Sequence, residues 1–82
     1  MSDKFWESPY PGNGYVIHES DDGWRWTWKE VGEADESSHA FKRESDAFES
    51  AALDWETNGS DFTGRFAGRL KAKATQLRKA GR

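Results

Sequence analysis

With 82 residues, the chain is long enough for one small domain, and we expect that domain to span residues 1–82. The absence of cysteine excludes a disulfide framework and favours a cytoplasmic setting. No apolar run resembles a signal peptide or approaches the roughly 18 residues of a membrane span. The sequence therefore predicts a soluble domain that is held together by packing alone.

Aromatic side chains are expected to build most of the core. The chain contains six Val, Ile or Leu residues, against five Trp, five Phe and two Tyr. A fully enclosed aromatic side chain buries roughly 150 to 250 Å². A chain of such low hydrophobicity could otherwise stay partly disordered, but its regular patterning favours a folded domain.

The charges are divided between the two parts of the chain. All 15 acidic residues lie within residues 1–64 together with five basic residues, whereas residues 65–82 contain seven basic residues and no acid. This division indicates either an interaction surface of one sign or two faces that neutralise each other in the fold.

Residues 14–30 have the pattern of a β-hairpin. Trp24, Trp26 and Trp28, which we call the tryptophan stripe, alternate with polar residues, and Asp22-Gly23 suits a type I′ turn. If the stripe is buried, it forms part of the hydrophobic core. If it is exposed, it would be a platform on which bases of nucleic acid stack, or an anchor for a protein partner. The acidic residues that flank the hairpin argue against stacking on nucleic acid.

The type I′ turn would place Ile17 opposite Trp28 and gather the apolar residues on one face. A bulge at Gly23 would instead shift the register by one residue and bring Val16 and His18 beside the stripe. The first register separates polar from apolar residues more cleanly, and we prefer it.

The flanking segments complete the predicted sheet and connect it to a helix. Residues 8–14 read as a loop that lets Phe5 and Trp6 fold back onto the body, and residues 37–43 alternate as a third strand. A first helix follows, with Asp46 as its N-cap in a capping box and Asn58-Gly59 as a left-handed stop. Its buried face is predicted from helical spacing and comprises Phe48, Ala51, Ala52 and Trp55.

A second helix is predicted to open at Ser60-Asp61. Its apolar stripe contains Phe62, Phe66, Leu70 and Leu77. Gly64 and Gly68 weaken this helix unless a close contact between helices compensates for them. The elements together predict an α+β fold, with a three-stranded antiparallel sheet followed by two helices that pack on one face.

The residues do not suggest catalysis. His18 and His39 stand in no recognisable triad, and Gly12-Asn13-Gly14 precedes a strand where a phosphate loop precedes a helix. A metal site formed by the two histidines and a carboxylate is geometrically possible, but no ligand spacing supports it. We therefore expect no enzyme activity, no cofactor and no metal.

Two charged groups are candidate binding surfaces. The acidic set would complement a basic groove on a protein partner, such as one that normally holds nucleic acid; it comprises Asp21, Asp22, Glu30, Glu33, Asp35 and Glu36. The basic set on the second helix would contact a phosphate backbone in the alternative interpretation; it comprises Arg65, Arg69, Lys73 and Arg78. Solvated loops and a solvated helix are the simpler explanations of the two sets.

The order of elements resembles that of small phage-encoded anti-CRISPR inhibitors of the type I-F surveillance complex. The similar stretch runs from Val16 through the Asp22-Gly23 turn and residues 46–55 to residues 62–66, roughly two thirds of the chain. The hairpin and residues 40–48 also look like small bacterial domains of the YegP type. Both are resemblances of layout, and no functional residue carries over from either.

The anti-CRISPR resemblance implies a stoichiometric inhibitor from a phage or mobile element. We therefore expect a non-enzymatic protein-binding module, monomeric or homodimeric, that acts on a host defence complex through its acidic surface. A nucleic-acid-binding protein that uses the basic helix is the alternative.

Overall fold

The computed structural model describes residues 4–59 and 64–82. In chain order its elements are β1 (Lys4–Glu7), β2 (Gly14–Ser20), β3 (Gly23–Lys29), β4 (Glu36–Ser37), α1 (Glu44–Asn58) and α2 (Arg65–Lys79). The strands form one antiparallel sheet in the order β1-β2-β3-β4. The predicted α+β class is confirmed, and the sheet has four strands where three were predicted.

The additional strand is β1, which carries Phe5 and Trp6 back onto the body. Lys4 pairs with Ile17 and Trp6 with Tyr15, so that β1 forms one edge of the sheet. The sequence predicted that this segment folds back onto the body. Its four residues and charged ends, however, show too little alternation of apolar and polar residues to indicate a strand. Its pairing places Trp6 on the same face of the sheet as Tyr15.

The hairpin register differs from the predicted one by two residues. Ser20 pairs with Gly23 and Ile17 with Trp26, so the turn consists of Asp21 and Asp22. A type I′ turn needs positive φ at both central residues, and neither aspartate has it. Gly23 instead lies in the strand with φ +136°, where a Cβ would stand 2.3 Å from the Phe41 carbonyl oxygen. A shift by two residues keeps each side chain on its predicted face.

The predicted third strand is interrupted soon after it begins. β4 covers two residues, and the chain pairs with β3 again at Phe41, through backbone hydrogen bonds of 2.7 Å in both directions with Trp24. Between these points residues 38–40 oppose two residues of β3, which defines a bulge. Ser38 stabilises the bulge because its Oγ accepts the Trp26 N–H at 3.0 Å.

Both helices contribute to a core on one face of the sheet. Tyr15, Ile17 and Trp26 are buried there, while Trp24 and Trp28 are partly buried and pack against the same cluster. Of the two interpretations that the sequence left open for the tryptophan stripe, the structure therefore supports the core. The remaining core residues come from α1 and α2: Ala47, Phe48, Ala51, Ala52, Trp55, Phe66, Ala67, Leu70, Ala74 and Leu77.

The ends of α1 differ from the predicted caps. The N-cap is Arg43, which makes no side-chain capping bond, and Asp46 lies inside the first turn. Asp46 accepts a hydrogen bond from Arg78, and the backbone N–H of Ser45 is bonded to the Arg82 carbonyl at 3.3 Å. The capping box does not form because these long-range partners occupy the first turn.

Gly59 ends α1 as predicted, but with φ −84° it is not left-handed. A Cβ at this position would lie 2.5 Å from the Trp55 ring, so close packing is what requires glycine there. The predicted start of α2 at Ser60-Asp61, together with Phe62, lies outside the described residues. The described helix begins at Arg65, after Gly64 in the left-handed conformation.

Candidate functional site

A cleft of about 570 Å³ opens at the end of the sheet where β2 begins and β3 ends. The β1–β2 loop, the ends of β2 and β3, the β3–β4 connection and the last turn of α1 all contribute to it. Its lining is Tyr10, Asn13, Tyr15, Trp28, Glu30, Glu33, Ala34, Glu36, Asp54, Trp55, Asn58 and Gly59. The cleft therefore combines aromatic rings with carboxylates.

Three aromatic rings form a contiguous surface in the cleft. The centroid of Trp55 lies 5.7 Å from that of Trp28 and 6.2 Å from that of Tyr10. Trp55 is buried, whereas Trp28 is half-buried and Tyr10 is 45% exposed. The central ring thus lies deepest and its two neighbours reach toward solvent, an arrangement that favours cations over an aromatic face.

Four carboxylates surround these rings. Glu30, Glu33 and Glu36 come from the β3–β4 connection and β4, and Asp54 comes from α1. The connection is held in place because Gly32 adopts φ +83° and the Glu33 N–H donates to the Glu30 carbonyl at 3.1 Å. This turn brings the three glutamates to one end of the hairpin.

Asp54 is anchored by Tyr15, whose buried hydroxyl donates to Asp54 Oδ2 at 2.6 Å. Asn58 Nδ2 donates to the other carboxylate oxygen at 3.0 Å. Burial, followed by the hydrogen bond and the negative charges of Asp54 and Glu36, raises the pKa of Tyr15 well above its ordinary value. Tyr15 therefore stays a neutral donor and Asp54 keeps a defined position.

The negative charge of the cleft is not neutralised within the described chain. None of the four carboxylates forms a salt bridge with a residue of the two described ranges. Glu30 accepts a hydrogen bond from Trp28 Nε1 at 3.2 Å, which leaves its charge in place. A cationic group is the ligand that this combination of charge and rings would attract.

The structure divides the predicted acidic set between two places. Glu30, Glu33 and Glu36 line the cleft, whereas Asp21 and Asp22 form the turn at the opposite end of β3. The seven residues of β3 separate the two ends by roughly 20 Å. The six acids therefore do not form one surface.

Two of the other acids of the set, Asp22 and Asp35, have partners. Asp35 binds Lys29 at 2.8 Å beside the cleft. Asp22 forms a salt bridge with Arg25 at 2.7 Å, and hydrogen bonds from Arg25 and Ser20 lower the pKa of Asp22 below its ordinary value. Each of these ion pairs neutralises an acid that was predicted from the sequence to contact a basic groove on a protein partner.

The aromatic and helical members of the cleft were not predicted from the sequence. Tyr10 comes from a loop, and Trp55 was assigned to the core of α1. Asp54 could have been suspected, because it stands beside Trp55 and four residues before Asn58 on the helix surface. Its approach to Tyr15, 39 residues away in sequence, is visible in the tertiary structure alone.

The predicted basic set is also divided. Arg78 is bound by Glu49 at 2.8 Å and Asp46 at 3.2 Å, and these contacts raise its pKa. Arg69 and Lys73 lie on the other side of α2, toward β1, and Arg65 opens the helix. Arg78 therefore belongs to the contact between α1 and α2, apart from the other members.

The two histidines are separate. His18 lies on the helix-free face of the sheet, with Nε2 at 2.9 Å from Thr27 Oγ1, and His39 packs against Phe41 with ring centroids 4.3 Å apart. Within residues 4–59 and 64–82, no group of three His, Asp or Glu side chains could hold a metal ion.

Comparisons with known proteins add no assignment. No family model matches the chain, and no curated protein or solved structure matches it either. In the described part of the chain, neither helix has the length and hydropathy needed to cross a bilayer.

Proposed function

We propose that the chain is a non-enzymatic protein-binding module whose cleft receives a basic segment of a partner protein. The proposal rests on the four carboxylates that lie around the rings of Trp28, Trp55 and Tyr10. None of these carboxylates forms a salt bridge within the described chain. A lysine or arginine side chain would place its charge among the carboxylates and its aliphatic stem against the rings.

The energetics favour a combined site over surface charge alone. An exposed ion pair contributes roughly 0 to 1 kcal/mol, and a cation over an aromatic ring contributes about 0.5 to 2 kcal/mol, depending on desolvation. The cleft offers both contacts to the same side chain. At the Asp21–Asp22 turn, the charge of Asp22 is already paired with Arg25, so we place the binding surface at the cleft.

A partner that handles nucleic acid would present a suitable basic surface. Inhibition of a host defence complex would then follow from occupation of the surface that the complex uses for nucleic acid. This step rests on the resemblance of layout, whereas cation binding rests on the cleft itself.

The experiment measures binding of a fluorescein-labelled peptide of alternating Gly and Arg by anisotropy at low salt. A peptide with Gln in place of Arg is the ligand control. The triple variant Glu30→Gln, Glu33→Gln and Glu36→Gln should weaken binding of the arginine peptide at least tenfold, because it removes three of the four carboxylates.

The matched control is the triple variant Glu19→Gln, Asp21→Asn and Asp22→Asn, which removes three acids from the opposite end of the hairpin. We expect it to change binding by about twofold or less, since it alters net charge equally and leaves the cleft intact. Equal weakening by the two triple variants, or equal binding of the Gln peptide, would contradict the proposal.

A further inference from the structure

A second groove, of about 500 Å³, lies at the β1 side of the sheet, along α2. It is lined by Trp6, Arg69, Ala72, Lys73, Thr75, Gln76 and Lys79. Three of these residues are basic and none is acidic. The groove is therefore the electrostatic opposite of the cleft, and the proposed function makes no use of it.

Trp6 stands at the centre of the positive charge. The Lys4 Nζ and the Arg69 Cζ each lie 5.5 Å from its ring centroid, and its ring also meets Phe48 edge to face at 5.3 Å. A cation over a ring interacts with a quadrupole, which has no net charge. The ring therefore holds Lys4 and Arg69 in place without neutralising them.

The basic residues on the opposite side of α2, and Arg82 after its end, pair with acids of α1. Lys71 binds Glu56 at 2.8 Å, Arg78 binds Asp46 and Glu49, and Arg82 binds Glu44. Lys4, Arg69, Lys73 and Lys79 form no salt bridge with a residue of the described ranges. These four residues, which we call the basic row, retain their charge for an external anion.

The shape of the basic row favours an extended anion. Arg69 and Lys79 are ten residues apart on α2, a distance of roughly 15 Å along the helix axis. That length exceeds a single phosphate group and suits successive charges of a polymer. Glu19 and Glu44 line the adjoining cavity of about 220 Å³ together with Lys4 and Lys73, whereas the groove lined by Arg69, Lys73 and Lys79 has no acidic residue.

We propose that the basic row binds the phosphate backbone of a single-stranded nucleic acid. The ring of Trp6 is already occupied by Lys4, Arg69 and Phe48, so recognition needs no stacked base and does not depend on base sequence. This site differs from the basic set predicted from the sequence: it keeps Arg69 and Lys73, and it has Lys4 and Lys79 in place of Arg65 and of Arg78, which is paired.

The test is fluorescence anisotropy of a labelled 12-nucleotide oligo(dT) with the intact chain at several salt concentrations. If four phosphates are contacted, the logarithm of the binding constant should fall with the logarithm of salt concentration with a slope of about −3. Between 50 and 200 mM salt, the same relation corresponds to a loss of roughly 50-fold. A mixed-sequence oligonucleotide should behave in the same way.

Two matched double variants, each lacking one Arg and one Lys of α2, locate the site. Arg69→Gln with Lys73→Gln should weaken binding at least tenfold and reduce the slope by about 1.4. Lys71→Gln with Arg78→Gln, which removes paired residues of the other side, should weaken binding about twofold or less. Circular dichroism melting confirms that each variant is folded at the assay temperature.

Three outcomes would overturn the proposal: no binding at 50 mM salt, equal losses in the two double variants, or equally effective competition by a poly-glutamate peptide of matched charge. The last result would assign the groove to an acidic protein segment. The cleft variant Glu30→Gln, Glu33→Gln and Glu36→Gln should retain oligonucleotide binding, so this test is independent of the proposed function.

Discussion

Tyr15 connects the sheet, both helices and the cleft. Its ring meets Trp26 at 5.3 Å and Trp28 at 4.8 Å on the sheet, and Phe66 of α2 at 6.0 Å. Its hydroxyl reaches Asp54 of α1. A buried hydroxyl needs a partner, and a carboxylate is a strong one. The same bond that satisfies the core therefore positions one carboxylate of the cleft.

The raised pKa of Tyr15 predicts alkaline destabilisation. The folded pKa of Tyr15 exceeds the unfolded value of 10.0. The stability that Tyr15 contributes is therefore fully present below about pH 10, and it is lost as the pH rises from there toward the folded pKa. Each pH unit in that window should cost about 1.4 kcal/mol from this one group.

Urea unfolding between pH 9 and 11.5 provides the measurement. Tyr15→Phe should be less stable than the unchanged chain at pH 7, by roughly 1.5 to 3 kcal/mol for a bond to a charged group, and the difference should shrink above pH 10. Tyr10→Phe is the control. A constant difference at all pH values would refute the role given to Tyr15.

At the scale of elements, the glycine that precedes α2 and the glycine inside it have different effects on the helix. Gly64 precedes Arg65 with φ +69°, a conformation that side chains rarely adopt. Gly68 is exposed inside the helix, and a Cβ there would meet no atom within 4 Å. The close helix contact that could have explained Gly68 is therefore absent from the described structure, and the residue weakens α2.

Gly68→Ala should accordingly stabilise the protein by roughly 0.5 to 1 kcal/mol, since alanine has the higher helix propensity. Gly23→Ala is the contrasting variant: with φ +136° and the Phe41 carbonyl oxygen 2.3 Å from its Cβ, it should destabilise by more than about 1 kcal/mol. Thermal melts compare the two. Destabilisation by Gly68→Ala would show that α2 needs flexibility or contacts at this position.

At the scale of the whole molecule, charge is arranged across the sheet. The cleft at the end of β3 is acidic, the groove at the β1 side is basic, and α1 neutralises Lys71 and Arg78 of α2. The net charge of −3 conceals this arrangement. Two surfaces of opposite sign can serve two different ligands, which is why the cleft and the groove are tested separately.

One aromatic cluster joins residues from both helices and the three longer strands. We therefore expect a single cooperative unfolding transition, in which tryptophan fluorescence and far-ultraviolet circular dichroism change together. Thermal and urea unfolding followed by both signals provide the measurement. Loss of the helical signal at a lower temperature than the fluorescence change would show that the helices unfold separately from the sheet.

Local alternation determined much of this architecture in advance. The period of two along β3 and the spacing of Phe48, Ala51, Ala52 and Trp55 in α1 were sufficient to predict a hairpin, a helix and their buried faces. These features depend on neighbouring residues, so the sequence contains them directly. The acidic turn that carries Glu30, Glu33 and Glu36 was visible for the same reason.

Contacts between distant residues decided the rest. The hairpin register depends on the approach of the Phe41 backbone to Gly23, and the missing capping box depends on the partners that Arg78 and Arg82 bring to α1. The sequence by itself determined which residues are acidic, aromatic or basic. Tertiary packing alone decided which of them remain unpaired and lie side by side, because neutralisation depends on distances in space.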